Sequence, residues 1–205
     1  MHAATIGNFD GVHQGHCALV ARARAKVGPS GRVTALCFDP HPLESIRPER
    51  APQRLSTFTQ REKWLTAAGA DAVVKLEPNP ALLSESPEQF VQWLVAQHRP
   101  TAVIEGQDFC FGKGRSGTID TLTALGHSFG FTVDVVPPIE VTLTDHTIVR
   151  ASSSLTRWLL AHGRVADAAL VLGRPYTLTG TVIKGDQRGR TIGVPTANLA
   201  CDITP

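Results

Sequence analysis

The sequence is poor in the features that mark several large classes of protein. Its four cysteines, Cys17, Cys37, Cys110 and Cys201, lie far apart and form no C-x-x-C pair. Neither a disulfide framework nor a zinc site has support, and the cysteines read as small buried thiols. No apolar run approaches the roughly 20 residues that a membrane-spanning helix needs. The start, MHAATIGNFDG, has neither a basic n-region nor an apolar h-region. A long basic run is also missing: Lys and Arg alternate with Asp and Glu to a formal net charge of +2. That argues against a nucleic-acid surface and confines any phosphate binding to a local site. There are no internal repeats and no low-complexity tracts. What remains is an ordinary globular composition, 42% hydrophobic and 19% charged over 205 residues. Apolar residues are spread too evenly for disorder, and the chain reads as soluble and cytoplasmic, with no membrane and no nucleic-acid partner.

What is present is a regular alternation. Five apolar runs, ATIGNF, VTALCF, AVVKL, TAVIEG and FTVDVV, are separated by helical patterns or loops, which predicts an α/β fold on a doubly wound, Rossmann-like parallel sheet. Ser86-Pro87-Glu88-Gln89 supplies an N-cap, a proline at the first helical position and a glutamine at the third, and Phe90, Val91, Leu94 and Val95 then share one face. Thr59 and Glu62 are expected to form a second capping box. The proline-rich, charged stretch PHPLESIRPERAPQRLS reads as an exposed loop after the second strand, at the edge where open parallel sheets bind ligands. After Leu172 the pattern becomes glycine-punctuated and β-like with no helical period. The expected division is therefore an α/β domain at 1–170 and the start of an all-β unit at 171–205, with too few residues for an independent domain.

The strongest chemical signal is Gly7-Asn8-Phe9-Asp10-Gly11-Val12-His13-Gln14-Gly15-His16, between the first strand and a helical stretch expected to begin near Val12. His13 and His16 then project from one face of the first helical turn. Backbone N–H groups and the helix dipole aim at the same place, and glycines let the chain approach a phosphate closely. Two imidazoles there suit a phosphoryl or nucleotidyl transfer, in which charge grows on a phosphate and no protein nucleophile is needed. A single histidine in such a place is more often a turn cap or a partly buried side chain. The ordered set of glycines and histidines argues otherwise. A metal site at this pair has no third ligand at suitable spacing.

This segment resembles the H-x-G-H signature of the nucleotidyltransferase superfamily, in the version found in bacterial bifunctional riboflavin kinase/FAD synthetases. Three later segments agree in order. Phe38-Asp39-Pro40-His41-Pro42 is similar to a family segment at the flavin pocket, although by itself it is a rigid extended turn. Gly106 to Gly117 is similar to the family's flavin-binding loop, with Asp108 polar and Phe109 and Phe111 apolar. At least one of the two phenylalanines is expected to be core. Arg150-Ala151-Ser152-Ser153-Ser154-Leu155-Thr156-Arg157 opens an amphipathic helix and resembles the superfamily's S-S-T-x-x-R motif, with Ser154 in place of threonine. Its hydroxyls and free N–H groups suit phosphates, and Arg157 a charge clamp.

The resemblance implies an FMN adenylyltransferase that moves AMP from ATP, with Mg²⁺, to FMN, giving FAD and pyrophosphate. It implies His13, His16 and Arg157 as catalytic residues, and Gly7, Asn8, Phe9, Gly15, Arg150, Ser153 and Ser154 as the ATP site. Pro40, His41, Pro42, Asp108, Phe109 and Phe111 would bind flavin. Leu172-Gly173-Arg174-Pro175-Tyr176 and Gly193 to Leu199 resemble the start of the family's riboflavin kinase barrel, where Thr196 and Asn198 would face Mg²⁺ once the barrel is complete. The kinase's catalytic glutamate has no counterpart, so the segment is read as truncated, with no kinase activity and with self-association through its unfinished edge. The rival readings are another H-x-G-H adenylyl- or cytidylyltransferase, and a non-catalytic nucleotide- or flavin-binding fragment.

Overall fold

The computed structural model describes residues 1–185, 188–201 and 203. Five strands, β1 (His2–Gly7), β2 (Arg32–Phe38), β3 (Ala72–Leu76), β4 (Ala102–Gly106) and β5 (Thr132–Val136), form one sheet in the order β3-β2-β1-β4-β5. All four pairings are parallel. These are the five apolar runs of the sequence. In β2 the residues from Val33 to Cys37 are all buried, because both faces of the sheet are covered. Val33, Ala35 and Cys37 pack on one side with Val20 and Ala23 of α1 (Gln14–Val27) and Leu65 of α3 (Phe58–Ala67). Leu36 faces the other side, with Phe90, Val91 and Leu94 of α5 (Pro87–His98) and Leu122 of α6 (Ile119–Phe129).

The remaining elements are α2 (Pro42–Ile46), α4 (Pro80–Ser84), an antiparallel pair β6 (Glu140–Thr142) and β7 (Ile148–Arg150), and the helices α7 (Ser153–Ala161) and α8 (Val165–Leu172). After α8 come an antiparallel pair, β8 (Gly180–Ile183) and β9 (Asn198–Cys201), and the single turn α9 (Arg188–Thr191).

Four local expectations change. The first helix begins at Gln14 rather than near Val12, with His13 as N-cap, because Val12 has φ +40° and cannot enter a right-handed helix. The capping box of α3 is Thr57 with Gln60, not Thr59 with Glu62. Asp10 holds Ser56 in the bend that precedes Thr57, which itself has extended backbone. The proline-rich stretch is not all loop: His41 caps α2 through its ring, with Glu44 closing the box, and a 3₁₀ turn follows at Pro48–Arg50. The unit after Leu172 is likewise not purely β, since α9 interrupts it; residues 186–187, 202 and 204–205 of that run lie outside the described residues.

One feature of the sheet positions the site. β1 pairs with β2 at six positions, from His2 with Arg32 to Gly7 with Cys37. With β4 it pairs only at Ala3 with Ala102 and Ala4 with Val103. Beyond that the strands part, and the Glu105 carboxyl accepts the Ile6 N–H at 2.6 Å in place of a ladder bond. The connections reverse here too, with β2 on one side of β1 and β4 on the other. A crevice at the carboxyl ends of strands where the order reverses is the usual ligand position in such sheets.

Candidate functional site

The turn from β1 into α1 lies at the mouth of that crevice. Phe9, Gly11 and Val12 all have left-handed backbone, with φ of +48°, +76° and +40°. For non-glycine residues this costs on the order of 1–3 kcal/mol each and persists only where surroundings over-determine it. Here Phe9 and Val12 are buried, at 1% and 0% exposure. At Gly11 the positive φ favours glycine, and a Cβ there would press on Leu55 at 3.0 Å. Gly15 serves a different end, since a Cβ would lie 3.0 Å from the His13 ring.

His13 and His16 come together as their spacing predicts, with ring centroids 3.7 Å apart and planes 26° from parallel. The Phe9 ring meets His16 edge-on at 5.2 Å. The Nδ1 atoms of both histidines are buried without a hydrogen-bond partner among the described residues. The α1 N-terminus receives no side-chain cap; the His16 N–H is bonded to the His13 carbonyl at 2.9 Å, which leaves the Gln14 and Gly15 N–H groups and the two imidazoles to meet an anion. Burial lowers His13 to about 4, helped by the Arg174 charge and opposed by Asp10. His16 is held well below its ordinary value by burial, then by His13 and Arg174. Both rings are therefore neutral at pH 7, each with one N–H to donate.

Asp10, inside the same motif, ties three chain segments together. Its carboxylate accepts the N–H groups of Leu55 and Ser56 and the Ser56 hydroxyl, at 3.0 to 3.1 Å. Arg157 on α7 lies 2.5 Å from its Oδ2. The Asp10 carbonyl accepts the Ser153 hydroxyl at 2.7 Å. The α7 N-terminus is thus fastened beside the histidine turn; its N-cap is Ser152, and Ser154 is exposed.

Other expected residues fall on both sides of the crevice. Asn8 and His41 meet at 3.0 Å. The Asn8 atom in that contact is Nδ2 and the His41 atom Nε2; His41 Nδ1 accepts the Leu43 N–H at 3.1 Å, and Asn8 Oδ1 is buried without a hydrogen-bond partner among the described residues. Pro40 and Pro42 flank His41, with Pro42 the first residue of α2. A small cleft beside them is lined by Asn8, Asp10, His41, Arg54, Ser56 and Arg61. Behind it Arg61 and Lys75 grip Asp39. Burial, which acts to raise the Asp39 carboxyl, is outweighed by these cations, and it is held below its usual value.

Across the crevice, Phe111 is core, at 5% exposure, and Phe109 stacks on it at 5.6 Å. Asp108 is paired with Arg150 at the surface. Gly7 precedes the turn, at the end of β1. Thr196 and Asn198 are exposed, Asn198 opening β9, and they are not close to the histidine turn by any contact of the described residues. Among the described residues no group of three or more His, Cys, Asp or Glu could hold a metal ion. Thr196 and Asn198, a hydroxyl and an amide, do not by themselves make a Mg²⁺ site. No helix among the described residues is long and apolar enough to cross a membrane.

Two residues that the sequence reading passed over complete the picture. Asp10 stood within the quoted motif, and its spacing to the glycines was the available signal. Arg174 stood in the segment assigned to the second unit, yet it donates to the carbonyls of Gly11 and Val12.

The family model described as FAD synthetase matches residues 1–151, and that described as riboflavin kinase matches 172–205. The chain is 35% identical to the bifunctional riboflavin kinase/FMN adenylyltransferase of Escherichia coli K12, over 95% of this chain and 61% of that protein. It is 37% identical to the protein of the same description from Pseudomonas fluorescens, over 96% of this chain and 62% of that one. A crystal structure described as a macrolide-efflux protein from Streptococcus pneumoniae superposes with a TM-score of 0.84 at 27% identity, covering 98% of this chain and 64% of that one. The chain thus spans about three-fifths of the length of the curated relatives it matches. With more than half of its residues matched by one family model, the chain belongs to the FAD synthetase family.

Proposed function

We propose that this chain transfers AMP from MgATP to FMN, giving FAD and pyrophosphate. The observation that carries the reading is the stacked, neutral His13–His16 pair at an uncapped helix N-terminus, at the point where β1 and β4 separate. An oxygen of the FMN phosphate attacks the α-phosphorus of ATP in line, and the bond from that phosphorus to the bridging oxygen breaks as pyrophosphate leaves. The imidazole N–H groups of His13 and His16 donate to the α-phosphate as its charge grows. The backbone of Gly7, Asn8, Phe9 and Gly15 lies against the nucleotide. Ser153, Ser154 and Arg157 hold the leaving pyrophosphate, with Arg150 near it. Pro40, His41, Pro42, Asp108, Phe109 and Phe111 bound the flavin site. Mg²⁺ arrives with ATP, as part of the substrate. Such catalysis is mostly positioning and preorganised electrostatics.

The transferase occupies 1–170 in this reading, and 171–205 begins a kinase-type β unit to which no kinase step is assigned. Val182 and its cross-strand partner Leu199 are 67% and 52% exposed on one face of the β8–β9 pair, which supports self-association through that face; a concentration-independent monomer on size exclusion would argue against it.

The test of the activity is incubation of the purified chain with FMN, ATP and Mg²⁺, following FAD and pyrophosphate, beside a sample with riboflavin and ATP. FAD from FMN, without FMN from riboflavin, supports the proposal. Saturable ATP binding without FAD would move the assignment to a different acceptor or to a binding fragment.

A further inference from the structure

We infer that Arg174 is a positioning residue for the His13–His16 pair, so that the segment following α8 completes the site built by the first 170 residues. The inference rests on the proposed transferase reading of that pair, and it concerns a residue that touches neither the crevice nor the reacting groups.

The geometry is specific. Arg174 Nη1 donates to the Val12 carbonyl at 2.8 Å and to the Leu172 carbonyl at 3.1 Å, while Nη2 donates to the Gly11 carbonyl. The guanidinium carbon sits over the Trp64 ring of α3, 3.6 Å from its centroid. Only a planar, multiply donating cation can satisfy two successive carbonyls and stack at once. Those two carbonyls belong to Gly11 and Val12, the left-handed residues that immediately precede His13. Their backbone direction sets where both imidazoles point. Gln14 on α1 makes a parallel tie, donating to the Leu170 carbonyl at 2.6 Å, and Gln60 on α3 donates to Thr177 and Thr179. α8 is thus tied to α1 and the chain after α8 to α3, and Arg174 is the one of these side chains that reaches the turn's own carbonyls among the described residues.

Charge makes the arrangement testable without substrate. The charged and titratable groups around the pair are Asp10 on the turn, Cys17 on α1 and Arg174 after α8, with Arg157 and His41 beyond Asp10. Of these, Arg174 opposes protonation of both imidazoles and Asp10 favours it at His13. Removing the cation while keeping the fold should ease protonation of His13.

The experiment compares Arg174→Gln and Arg174→Lys with the unsubstituted chain. Histidine titrations are followed by NMR on the substrate-free protein, and kcat and KM for FAD formation are measured alongside. Arg174→Gln is expected to move the His13 midpoint upward from about 4 and to lower kcat about tenfold or more, with KM for ATP and FMN changed much less. Arg174→Lys restores the charge without the fork, so it keeps the His13 midpoint near that of the unsubstituted chain and still lowers kcat. An unmoved His13 midpoint in folded Arg174→Gln overturns the inference, as does an Arg174→Lys variant with undiminished kcat. If Arg174→Gln does not fold, Arg174→Lys decides alone by its kcat at an unchanged melting temperature. Absence of FAD formation by the unsubstituted chain sinks the transferase proposal, and the titration, which uses no substrate, then decides on Arg174.

Discussion

Asp10 and Arg157, 147 residues apart in the chain, meet at 2.5 Å with both side chains largely buried. The pair joins the turn after β1 to the first turns of α7, the two segments on which phosphate handling is proposed to depend. It also fixes the 55–56 segment, whose N–H groups Asp10 accepts. Removing one member leaves the other charge buried and uncompensated, which typically costs about 3–5 kcal/mol. Asp10→Asn should therefore lower the unfolding free energy by about 3 kcal/mol. Arg157→Met should cost much less in the Asp10→Asn background than alone, because the partner is already gone. A urea-denaturation cycle on the four proteins measures this, and strictly additive effects would show that the two residues do not couple.

His16→Ala separates chemistry from stability. The His16 Nδ1 atom has no hydrogen-bond partner among the described residues, so truncation forfeits ring packing against Phe9 and His13 but breaks no hydrogen bond of that atom among them. Loss of one well-aimed donor to a phosphate typically lowers kcat by about 10²–10³. The expected result is that loss in FAD formation, with a melting temperature close to that of the unsubstituted chain. Turnover within a few-fold of the original would remove His16 from the mechanism.

The neutral histidines also predict how stability follows pH. His13 titrates at about 4 in the fold against 6.5 when unfolded. Between those values the unfolded chain binds a proton that the folded chain refuses, so stability is fully present above pH 6.5 and falls as pH drops toward 4. The contribution of His13 is at most about 3 kcal/mol. His16, lowered in the same direction, adds to the loss with the same sign. His13→Gln should flatten the decline between pH 6.5 and pH 4 in urea-midpoint measurements. An unchanged slope would mean that His13 is not held neutral.

Much of this was readable in the sequence where the interaction is local. The five strands are apolar runs, and Ser86, Pro87 and Gln89 form the predicted cap of α5, with the Ser86 and Gln89 side chains closing the box. The histidine stack follows from a spacing of three. What failed were choices decided by distant residues. Thr57-x-x-Gln60 and Thr59-x-x-Glu62 are equally good capping boxes on paper, and the Asp10 bonds to Ser56 select the first. The start of α1 moved because Val12 is held left-handed by a turn whose carbonyls are bound from residue 174. His41 as a cap was missed because its ring nitrogen does the work usually given to a serine or aspartate oxygen. Arg174 itself lay in a segment read as belonging elsewhere, and nothing short of the folded chain brings it within reach of Gly11.

Glu105 offers the converse pH test at the point where β1 and β4 separate. It is 2% exposed and its carboxyl accepts the Ile6 N–H. Burial raises its pKa well above the ordinary value, against the smaller opposing pull of the Ile6 hydrogen bond, which favours the neutral acid in the fold. For a group raised in this direction, stability is complete below the unfolded value of 4.5 and is lost as pH rises, because the unfolded chain releases its proton and the folded chain keeps it. Glu105→Gln mimics the neutral acid, retains an acceptor for Ile6 and has no proton to lose. The variant and the unsubstituted chain should therefore unfold at similar denaturant concentrations near pH 4, with Glu105→Gln progressively the more stable toward pH 8. If the carboxyl were instead ionised and stabilised in the fold, the order at pH 8 would reverse. Glu105→Ala should be less stable than Glu105→Gln at every pH by about 1–3 kcal/mol, the cost of leaving the buried Ile6 N–H without a partner.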